Sequence, residues 1–377
     1  MPPTTAPPVG HLVADRKVDV RRRRKIGWVS LVAALALALG MSFIPSPYVI
    51  EQPGPVFNTL GSSTHDGSEV PLISISGAPT YPTAGTLDML TVSVVGTPQS
   101  LPSWAEVISA WFDRSRAAVP VDSVYPPSVS VAERDQENTA MMVDSQQEAI
   151  AAALTNLSIS FTTTVAVAQI ADGSGSSGVL QVGDVIDSVN DTPITTVDGL
   201  RAAVTANGDS TPATLVVTRS GAQQTVAVTP KKAADGTILL GIAASARYQF
   251  PFTVDIQLDN VGGPSAGMMF ALGIVDQLTP GELNGGKNVA GTGTISADGE
   301  VGPIGGIRQK LFGAEQGGAN YFLAPASNCD EVVGHVPSGL SVYAVSTLTD
   351  SLAALADISS GSGLDSLPTC DSVQAAK

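Results

Sequence analysis

The chain has 377 residues, of which 43% are hydrophobic, and this is enough apolar material for two or three domains with buried cores. Basic residues are concentrated before residue 26 and give that segment a net charge of +5, so the other 352 residues carry −20 and the whole chain −15. Because nucleic-acid binding needs a clustered basic surface, this acidic body argues against a nucleic-acid partner.

The first predicted element is an uncharged apolar stretch of 19 residues from Ile26 to Ile44, directly after the basic cluster. As a helix it would be about 28 Å long, which fits one bilayer crossing. We therefore expect residues 1–25 to be a cytoplasmic basic tail and residues 26–44 a single-pass anchor in the cell membrane, with the rest extracytoplasmic by the positive-inside rule. A cleaved signal peptide is the alternative, and it exports the same part of the chain.

Residues 45–157 are predicted to form an N-terminal α+β region. Strand-like stretches lie at Leu72–Ser76 and Leu87–Val95. Ser103 and Glu106 have the spacing of a capping box, and the same pattern at Ser145–Glu148 predicts a second helix over residues 149–157. After the first cap, large apolar residues recur at helical spacing, namely Trp104, Val107, Ile108 and Trp111. This stripe faces either a core or the membrane interface.

Short β runs and one helix near residues 197–206 dominate residues 158–234. The segment from Leu180 to Ile186, Leu-Gln-Val-Gly-Asp-Val-Ile, resembles PDZ domains of the bacterial, protease-associated kind. The resemblance implies a mainly-β domain that binds an extended peptide by adding it as a strand to a sheet edge. A carboxylate-binding loop of the family's Gly-Leu-Gly-Phe type is not recognisable, and residues near Phe161 to Thr164 are a candidate without a motif. Recognition of C-termini or of internal strands therefore stays open, and a simple spacer domain is the alternative.

A candidate nucleophile follows an alternating strand pattern from Thr253 to Asn260. The segment Val-Gly-Gly-Pro-Ser-Ala-Gly then leads into an apolar helix that runs to about Leu278. With Pro264 at the first helical position, Ser265 would lie in the first turn, where unpaired N–H groups and the helix dipole stabilise a developing oxyanion. The neighbouring candidates for substrate binding are Gly263, Pro264 and Ala266. Serine at a helix start can also be a simple cap.

A base for this serine is offered by Lys310. A helix after Gly305-Gly306 would place Lys310 on the same face as Ile307, Leu311 and Ala314. Burial on an apolar face disfavours the ammonium form and lowers the pKa of a lysine, as a general base near neutral pH requires. A lysine whose amine extends into water is the alternative.

Three motifs in this order resemble the proteolytic domain of Lon peptidases over Thr253 to about Ala356: Ser265 in Gly-Pro-Ser-Ala-Gly, Thr292 in Val-Ala-Gly-Thr-Gly, and Lys310 in Pro-Ile-Gly-Gly-Ile-Arg-Gln-Lys. The resemblance implies a Lon-type α/β proteolytic domain over residues 245–356. It makes Ser265 the nucleophile and Lys310 the general base, while Thr292 orients the lysine. Gly262 stands where many Lon enzymes have an acidic residue. An anchor, a PDZ-like domain and a Lon-type domain without an ATPase resemble secreted Lon-like, PDZ-containing proteins of bacteria.

No cofactor, nucleotide or metal is expected. Gly281–Lys287 has the form Gly-x-x-x-x-Gly-Lys, but Asn288 replaces the Ser or Thr that a P-loop needs, and no His-Glu-x-x-His motif occurs. Cys329 and Cys370 lie in the part predicted to be exported, where a disulfide is permitted, with unpaired thiols as the alternative. Residues 357–377 are expected to be a C-terminal tail.

The predicted fold is thus an α/β and mainly-β multidomain chain: an N-terminal transmembrane helix, a small α+β segment, a PDZ-like β domain and a C-terminal Lon-type proteolytic domain. We expect an ATP-independent serine endopeptidase that cleaves unfolded or extended polypeptides outside the membrane through Ser265 and Lys310. The rival hypothesis is a catalytically inactive, membrane-tethered PDZ scaffold that binds peptides. Because related Lon domains form rings, a homo-oligomer is an expectation by analogy.

Overall fold

The computed structural model describes residues 20–41, 44–65, 67–259 and 261–375. These described residues fall into two compact units, one within residues 20–51 and 94–127 and the other within residues 52–93 and 128–375. The described helices are α1 Val20–Met41, α2 Trp104–Trp111, α3 Val121–Val124, α4 Val131–Asn156, α5 Val197–Asn207, α6 Gly267–Leu278, α7 Ile307–Gln316, α8 Cys329–Val332, α9 Leu348–Ser360 and α10 Cys370–Ala375. The described strands are β1 Tyr48–Asn58, β2 Ser62–His65, β3 Ser68–Pro71, β4 Ile73–Ser76, β5 Thr86–Val95, β6 Ala117–Pro120, β7 Thr162–Ile170, β8 Val185–Val189, β9 Thr192–Pro193, β10 Ala213–Arg219, β11 Ala222–Val228, β12 Lys231–Lys232, β13 Ile238–Leu239, β14 Ile242–Gln249, β15 Thr253–Ile256, β16 Asn288–Gly291, β17 Thr294–Ile295, β18 Val301–Gly302, β19 Tyr321–Pro325 and β20 Ser341–Val345.

Helix α1 covers most of the predicted anchor but has different ends. It begins at Val20, inside the basic cluster, and ends at Met41, whereas the sequence predicts a helix from Ile26 to Ile44. Residues 42 and 43 lie outside the described residues. Within the described ranges, no helix combines the length and the apolar character that a membrane crossing demands. The predicted anchor is therefore not confirmed.

In the first unit, helix α2 confirms the predicted capping box. The Ser103 hydroxyl accepts the Glu106 N–H, and the Glu106 carboxylate accepts the Ser103 N–H at 2.7 Å. Val107 is buried in the small core of this unit, but Trp111 is 59% exposed. Of the two alternatives for this stripe, a core-facing role is wrong for Trp111, the last residue of α2, whose indole extends away from this core.

A mixed sheet with strand order β20-β19-β16-β5-β1 forms the centre of the second unit. Strand β16 runs parallel to both β5 and β19, and β19 runs parallel to β20. Two adjacent residues of β16 belong to different apolar cores. Val289 packs in the core formed with α4, α6 and α9, and Ala290 packs in the core formed with α7. Because successive strand residues point to opposite faces, the sheet separates two helical layers. Residues 52–93 and 128–157 thus belong to the same unit as the Lon-like region, which corrects the prediction of a separate region over residues 45–157.

Helix α4 is much longer than the sequence predicts. It begins after Ser130, whose capping box with Glu133 replaces the predicted cap at Ser145. Ser145 lies inside the helix and is buried. The prediction failed because the first half of α4 is polar and exposed, so it lacks the apolar periodicity from which a helix is recognised.

A second sheet, β11-β10-β8-β7-β14, forms the PDZ-like region around its own apolar core. Its edge strand β14 pairs antiparallel with β7, from Ile242 opposite Ile170 to Gln249 opposite Thr162. The sheet therefore extends to Gln249, beyond the predicted end at residue 234 and past the predicted start of the next domain at residue 245. Strand β14 escaped prediction because its first half is rich in Ala and does not alternate clearly between apolar and polar residues.

The C-terminal segment is part of the fold rather than a tail. Cys370, at the start of α10, forms a disulfide with Cys329 of α8, across a sequence separation of 41 residues. The Ala344 N–H of β20 donates to the Pro368 carbonyl at 2.8 Å. The prediction of a tail from residue 357 is therefore wrong for the described residues up to Ala375.

Candidate active site

Ser265 lies in a turn directly before α6. The helix begins at Gly267 with Ala266 as its N-cap, and its first backbone bond runs from the Phe270 N–H to the Ala266 carbonyl. The prediction that Pro264 occupies the first helical position is therefore wrong by three residues. Ser265 is half-buried in this turn, so its hydroxyl stays accessible while its backbone is held by neighbouring segments.

Lys310 is placed by α7 in the manner that the sequence predicts. Gly306 takes the left-handed conformation, with φ of +68°, and its carbonyl accepts the Lys310 N–H at 3.1 Å. A Cβ at Gly306 would lie 2.7 Å from a methyl of Val92, so this tight start of the helix requires glycine. The predicted face is buried throughout, with Ile307, Lys310, Leu311 and Ala314.

The three residues singled out by motif are in mutual contact. The Nζ of Lys310 lies 2.8 Å from the Oγ of Ser265 and 2.9 Å from the Oγ1 of Thr292. Thr292, the first residue after β16 rather than a residue within a strand, donates its own hydroxyl to the Ser265 carbonyl at 2.9 Å. One threonine therefore fixes both the lysine and the backbone of the serine.

Burial controls the protonation of this lysine. Lys310 is 2% exposed, and burial lowers the pKa of its amine from 10.5 to about 7. Removing an ammonium group from water is costly unless an opposite charge compensates it, so the neutral amine is favoured. At pH values near 7, Lys310 is therefore neutral in a large share of the molecules and can accept a proton.

The turn before α6 is held from two sides. On one side, the Ser265 carbonyl accepts the Gly293 N–H at 3.0 Å. On the other, the Asn138 carbonyl of α4 accepts the Gly263 N–H at 2.9 Å, and the Ser145 hydroxyl donates to the Pro264 carbonyl at 3.0 Å. Sequence reasoning missed both α4 residues. Ser145 did carry a signal, but its pattern was interpreted as a helix cap.

The glycine at position 262 also has a structural reason. A Cβ at Gly262 would lie 2.7 Å from the Cβ of Asn138, which is too close for any side chain without movement of α4. An acidic residue therefore does not fit here.

A cavity of about 330 Å³ opens beside Ser265 and Lys310. Part of its wall is the second half of β5, from Leu90 to Ser93. Most of the remaining lining is apolar and comes from Pro55, Phe57, Met89, Met142, Val261 and Ala266. Of the three predicted substrate-binding residues, only Ala266 lines the cavity, whereas Gly263 and Pro264 support the turn behind Ser265. The β5 and β1 residues were missed because no chemical motif marks them.

Gly281–Lys287, the segment with P-loop spacing, is a structural turn. Asn284 is buried, and its side-chain amide donates to the carbonyls of Thr86 and Lys287 at 3.2 and 3.0 Å. This turn joins α6 to β16.

A second groove, of about 550 Å³, lies between α5 and β14 in the PDZ-like region. Aliphatic side chains line both of its walls, with Val197, Leu200 and Val204 from α5 facing Leu240, Ile242 and Ala244. Phe161–Thr164, the candidate carboxylate loop, is at the opposite end of the β7-β14 pair, where Phe161 packs against Tyr248 and Phe250. That assignment is therefore wrong.

Comparison with known proteins agrees with the motifs. Residues 260–356 match the family model described as the Lon protease (S16) C-terminal proteolytic domain. Lon protease 1 of Sorangium cellulosum is 39% identical over 94 residues, and the Lon protease of Azospirillum brasilense is 41% identical over 93 residues. Each match covers 24% of this chain but 11% of the relative, so the chain spans a small part of the length of these proteins.

Among solved structures, the PDZ domain of an SdrC-like protein from Listeria monocytogenes is similar with a TM-score of 0.20 and 15% identity, covering 21% of this chain and 85% of that one. The corresponding domain from Listeria innocua gives a TM-score of 0.21 and 13% identity, with 22% and 92% covered. The family match is confined to the region that carries Ser265, Thr292 and Lys310. The C-terminal part of this chain thus contains a proteolytic domain of the Lon type.

Proposed function

We propose that this protein is a serine endopeptidase that cleaves unfolded or extended polypeptides without nucleotide. The observation that carries the proposal is the 2.8 Å contact between Ser265 Oγ and the buried Lys310 amine, whose pKa is lowered to about 7. A serine hydroxyl is a weak nucleophile until a nearby base takes its proton, and a neutral lysine is such a base.

In the reaction, neutral Lys310 takes the hydroxyl proton as Ser265 Oγ attacks the peptide carbonyl carbon. The ammonium then gives this proton to the leaving amine, the C–N bond breaks, and an acyl-enzyme remains. Lys310 then takes a proton from water, whose oxygen attacks the acyl carbon; the bond from this carbon to Ser265 Oγ breaks, and the lysine returns the proton to Oγ. Thr292 Oγ1 accepts a hydrogen bond from Lys310 throughout, which directs the amine to the serine.

Support for a polypeptide substrate comes from strand β5. On one side, β5 pairs with β16 from Thr86 to Met89. Among the described strands, none pairs with this side of β5 along Leu90–Ser93. This open edge borders the cavity that contains Ser265. An extended chain can add to such an edge through main-chain hydrogen bonds, which suits substrates of varied sequence.

The lining of the cavity suggests which side chain precedes the cleaved bond. Phe57, Met89 and Met142 provide apolar surface, and the cavity is large enough for one medium-sized side chain. We therefore propose a preference for an apolar residue over an acidic one before the scissile bond, because Asp259 also lines the cavity and a second carboxylate would lose its hydration there beside a like charge.

The PDZ-like region would deliver the polypeptide. Strand β14 is an edge strand, and the groove between it and α5 offers aliphatic side chains beside a free strand edge. These are the two features that strand addition uses for affinity and for specificity.

We also retain as proposals a cell-membrane location with the N-terminus in the cytoplasm, and assembly into a homo-oligomer. The location is supported by the basic cluster before residue 26 and the apolar sequence after it. The oligomer is supported only by analogy with related Lon domains.

The decisive experiment incubates a disordered test protein with the wild-type chain and with Ser265→Ala, without nucleotide, and identifies the products by mass spectrometry. We expect new internal cleavage products with wild type only, and labelling of Ser265 by an alkylphosphonate probe. Folded wild type that neither cleaves nor becomes labelled would support the peptide-binding scaffold instead. Cleavage that persists in Ser265→Ala would show that another residue is the nucleophile.

A further inference from the structure

Helix α4 holds the peptide plane that precedes the nucleophile. The Ser145 hydroxyl donates to the Pro264 carbonyl at 3.0 Å, across 119 positions of sequence. Ser145 is only 5% exposed. A serine inside a helix can instead donate to a carbonyl of its own preceding turn, as Ser351 does toward Thr347 in α9 at 3.0 Å. In Ser145 the hydroxyl is used for a contact between distant segments.

The position of this contact gives it a particular consequence. The Pro264 carbonyl and the Ser265 N–H belong to one planar peptide group, so a bond that fixes the carbonyl also fixes the direction of the N–H and the Cα of Ser265. The next peptide group, which contains the Ser265 carbonyl, is fixed by Thr292 and Gly293 from the opposite side. The two peptide groups that flank the nucleophile therefore have independent supports.

The packing around Ser145 leaves little freedom for the turn. A Cβ at Gly267 would lie 2.9 Å from the Ser145 hydroxyl, so the start of α6 approaches α4 closely. Asn138, two turns earlier on α4, accepts the Gly263 N–H. Of these two α4 contacts, only the Ser145 contact uses a side chain and can be removed by substitution.

We propose that Ser145 is a positioning residue for Ser265: it orients the peptide group before the nucleophile and so keeps Ser265 Oγ in contact with Lys310. This inference rests on the proposed peptidase function. Loss of the Ser145 hydroxyl would let the 264–265 peptide group rotate, and displacements of about 1 Å at a reacting atom can reduce rates by about 100-fold. Because Ser145 itself touches neither substrate nor Lys310 in this arrangement, its loss acts on kcat rather than on KM.

The test compares Ser145→Ala with Ser176→Ala in the full chain. Ser176 is a matched control, because it is fully buried and its hydroxyl also donates to a distant carbonyl, that of Leu240 at 2.8 Å in the PDZ-like region. For a short peptide, Ser145→Ala should lower kcat and the rate of phosphonate labelling by about 10- to 100-fold, with KM changed less than about threefold. Ser176→Ala should lower the melting temperature with kcat unchanged.

The pH midpoint of kcat should be the same in Ser145→Ala and wild type, because the burial of Lys310 is unaltered. If Ser145→Ala does not fold, Ser145→Cys takes its place, since a thiol keeps the side chain's shape but is a weak donor. A folded Ser145 variant with wild-type kcat and wild-type labelling would overturn the role of Ser145 and leave the proposed peptidase function standing. An equal loss of kcat in Ser176→Ala would also overturn the role of Ser145, because the loss would not be specific to the turn before α6. A wild type that is itself inert toward peptide and probe would overturn the proposed function first.

Discussion

The two grooves of this chain differ in what they bury. The cavity beside Ser265 contains a lysine amine removed from water, next to the two hydroxyl groups of Ser265 and Thr292. The groove beside β14 is lined mostly by aliphatic side chains and a strand edge, with Arg201 and Gln169 among its other residues. A lysine can act as a general base at neutral pH only if its pKa is lowered, and burial provides that shift for Lys310. Recognition of a chain requires neither, because main-chain bonds and apolar contacts are sufficient.

The largest effect that can test this difference is loss of the dyad. Ser265→Ala and Lys310→Ala should each reduce kcat by at least about 1,000-fold, and the double variant should lose little more, because the two residues act as one unit. Lys310→Arg should be equally inactive, since a guanidinium group keeps its proton at neutral pH. Peptide turnover and calorimetric peptide binding are measured on the same variants. Binding to the β14 groove should persist in all of them, and a double variant far weaker than either single variant would contradict the shared role.

The next effect concerns pH. Because the pKa of Lys310 is lowered to about 7, kcat should fall about tenfold per pH unit below 7 and level off above it. A pH–rate profile for a short peptide measures this.

The lowered pKa of Lys310 also makes the stability of the fold depend on pH. Between pH 7 and 10.5 the unfolded chain binds more protons at this lysine than the folded chain, so the free energy of unfolding should rise with pH in this window. Urea titrations of wild type and Lys310→Met at pH 7 and 9 test this, and the variant should lack that contribution.

A smaller effect is expected at the other groove. Leu239 lines it and is 47% exposed, so Leu239→Asp should place a charge at the peptide site with little cost to folding. For an unfolded substrate of about 100 residues we expect KM to rise about tenfold, whereas a peptide of about 8 residues should be unaffected. Val182→Asp is the control, because Val182 is exposed in the same region but does not line the groove. A fall in kcat that is independent of substrate length would favour allosteric control over delivery.

The smallest effect distinguishes two buried aspartates by the sign of their pH dependence. In the PDZ-like region, bonds from Arg219 lower the pKa of Asp184, so its stabilisation should be lost as the pH falls below 3.8. In α6, burial raises the pKa of Asp276, so the free energy of unfolding should fall as the pH rises from 3.8 through the raised value. We would measure the free energy of unfolding between pH 3 and 7 for wild type, Asp184→Asn and Asp276→Asn. Each variant should lack the pH dependence that its aspartate contributes to the wild type. Parallel curves for wild type and Asp276→Asn would refute the second assignment.

The residues of the site that sequence could predict are those in continuous motifs. Ser265, Thr292 and Lys310 each lie among glycines and apolar residues that mark a turn or a helix start, and burial of one face of α7 follows from its periodicity. The supports of the site could not be predicted in this way. Ser145 is 119 positions from its partner Pro264, and its spacing to Glu148 imitates a helix cap. Contacts of this kind depend on how segments pack, which local patterns do not contain.

The same limit explains the errors in domain boundaries. Strand β5 was predicted as a strand, but nothing local indicates that it pairs with β16, about 200 positions later. The parallel pairing of central strands brings distant segments together without a connecting turn that could be recognised. Strand β14 was missed for a different reason, since its run of small residues gives no alternation.

The disulfide between Cys329 and Cys370 changes what a cut in the chain would do. The turn after α9, from Gly361 to Gly363, is exposed and lies between the two cysteines. Under the proposed peptidase function, copies of the chain expose such turns to one another's activity. A break there would leave both pieces joined covalently through α8 and α10, so a nicked molecule would keep its C-terminal helix and would reveal the nick only after reduction.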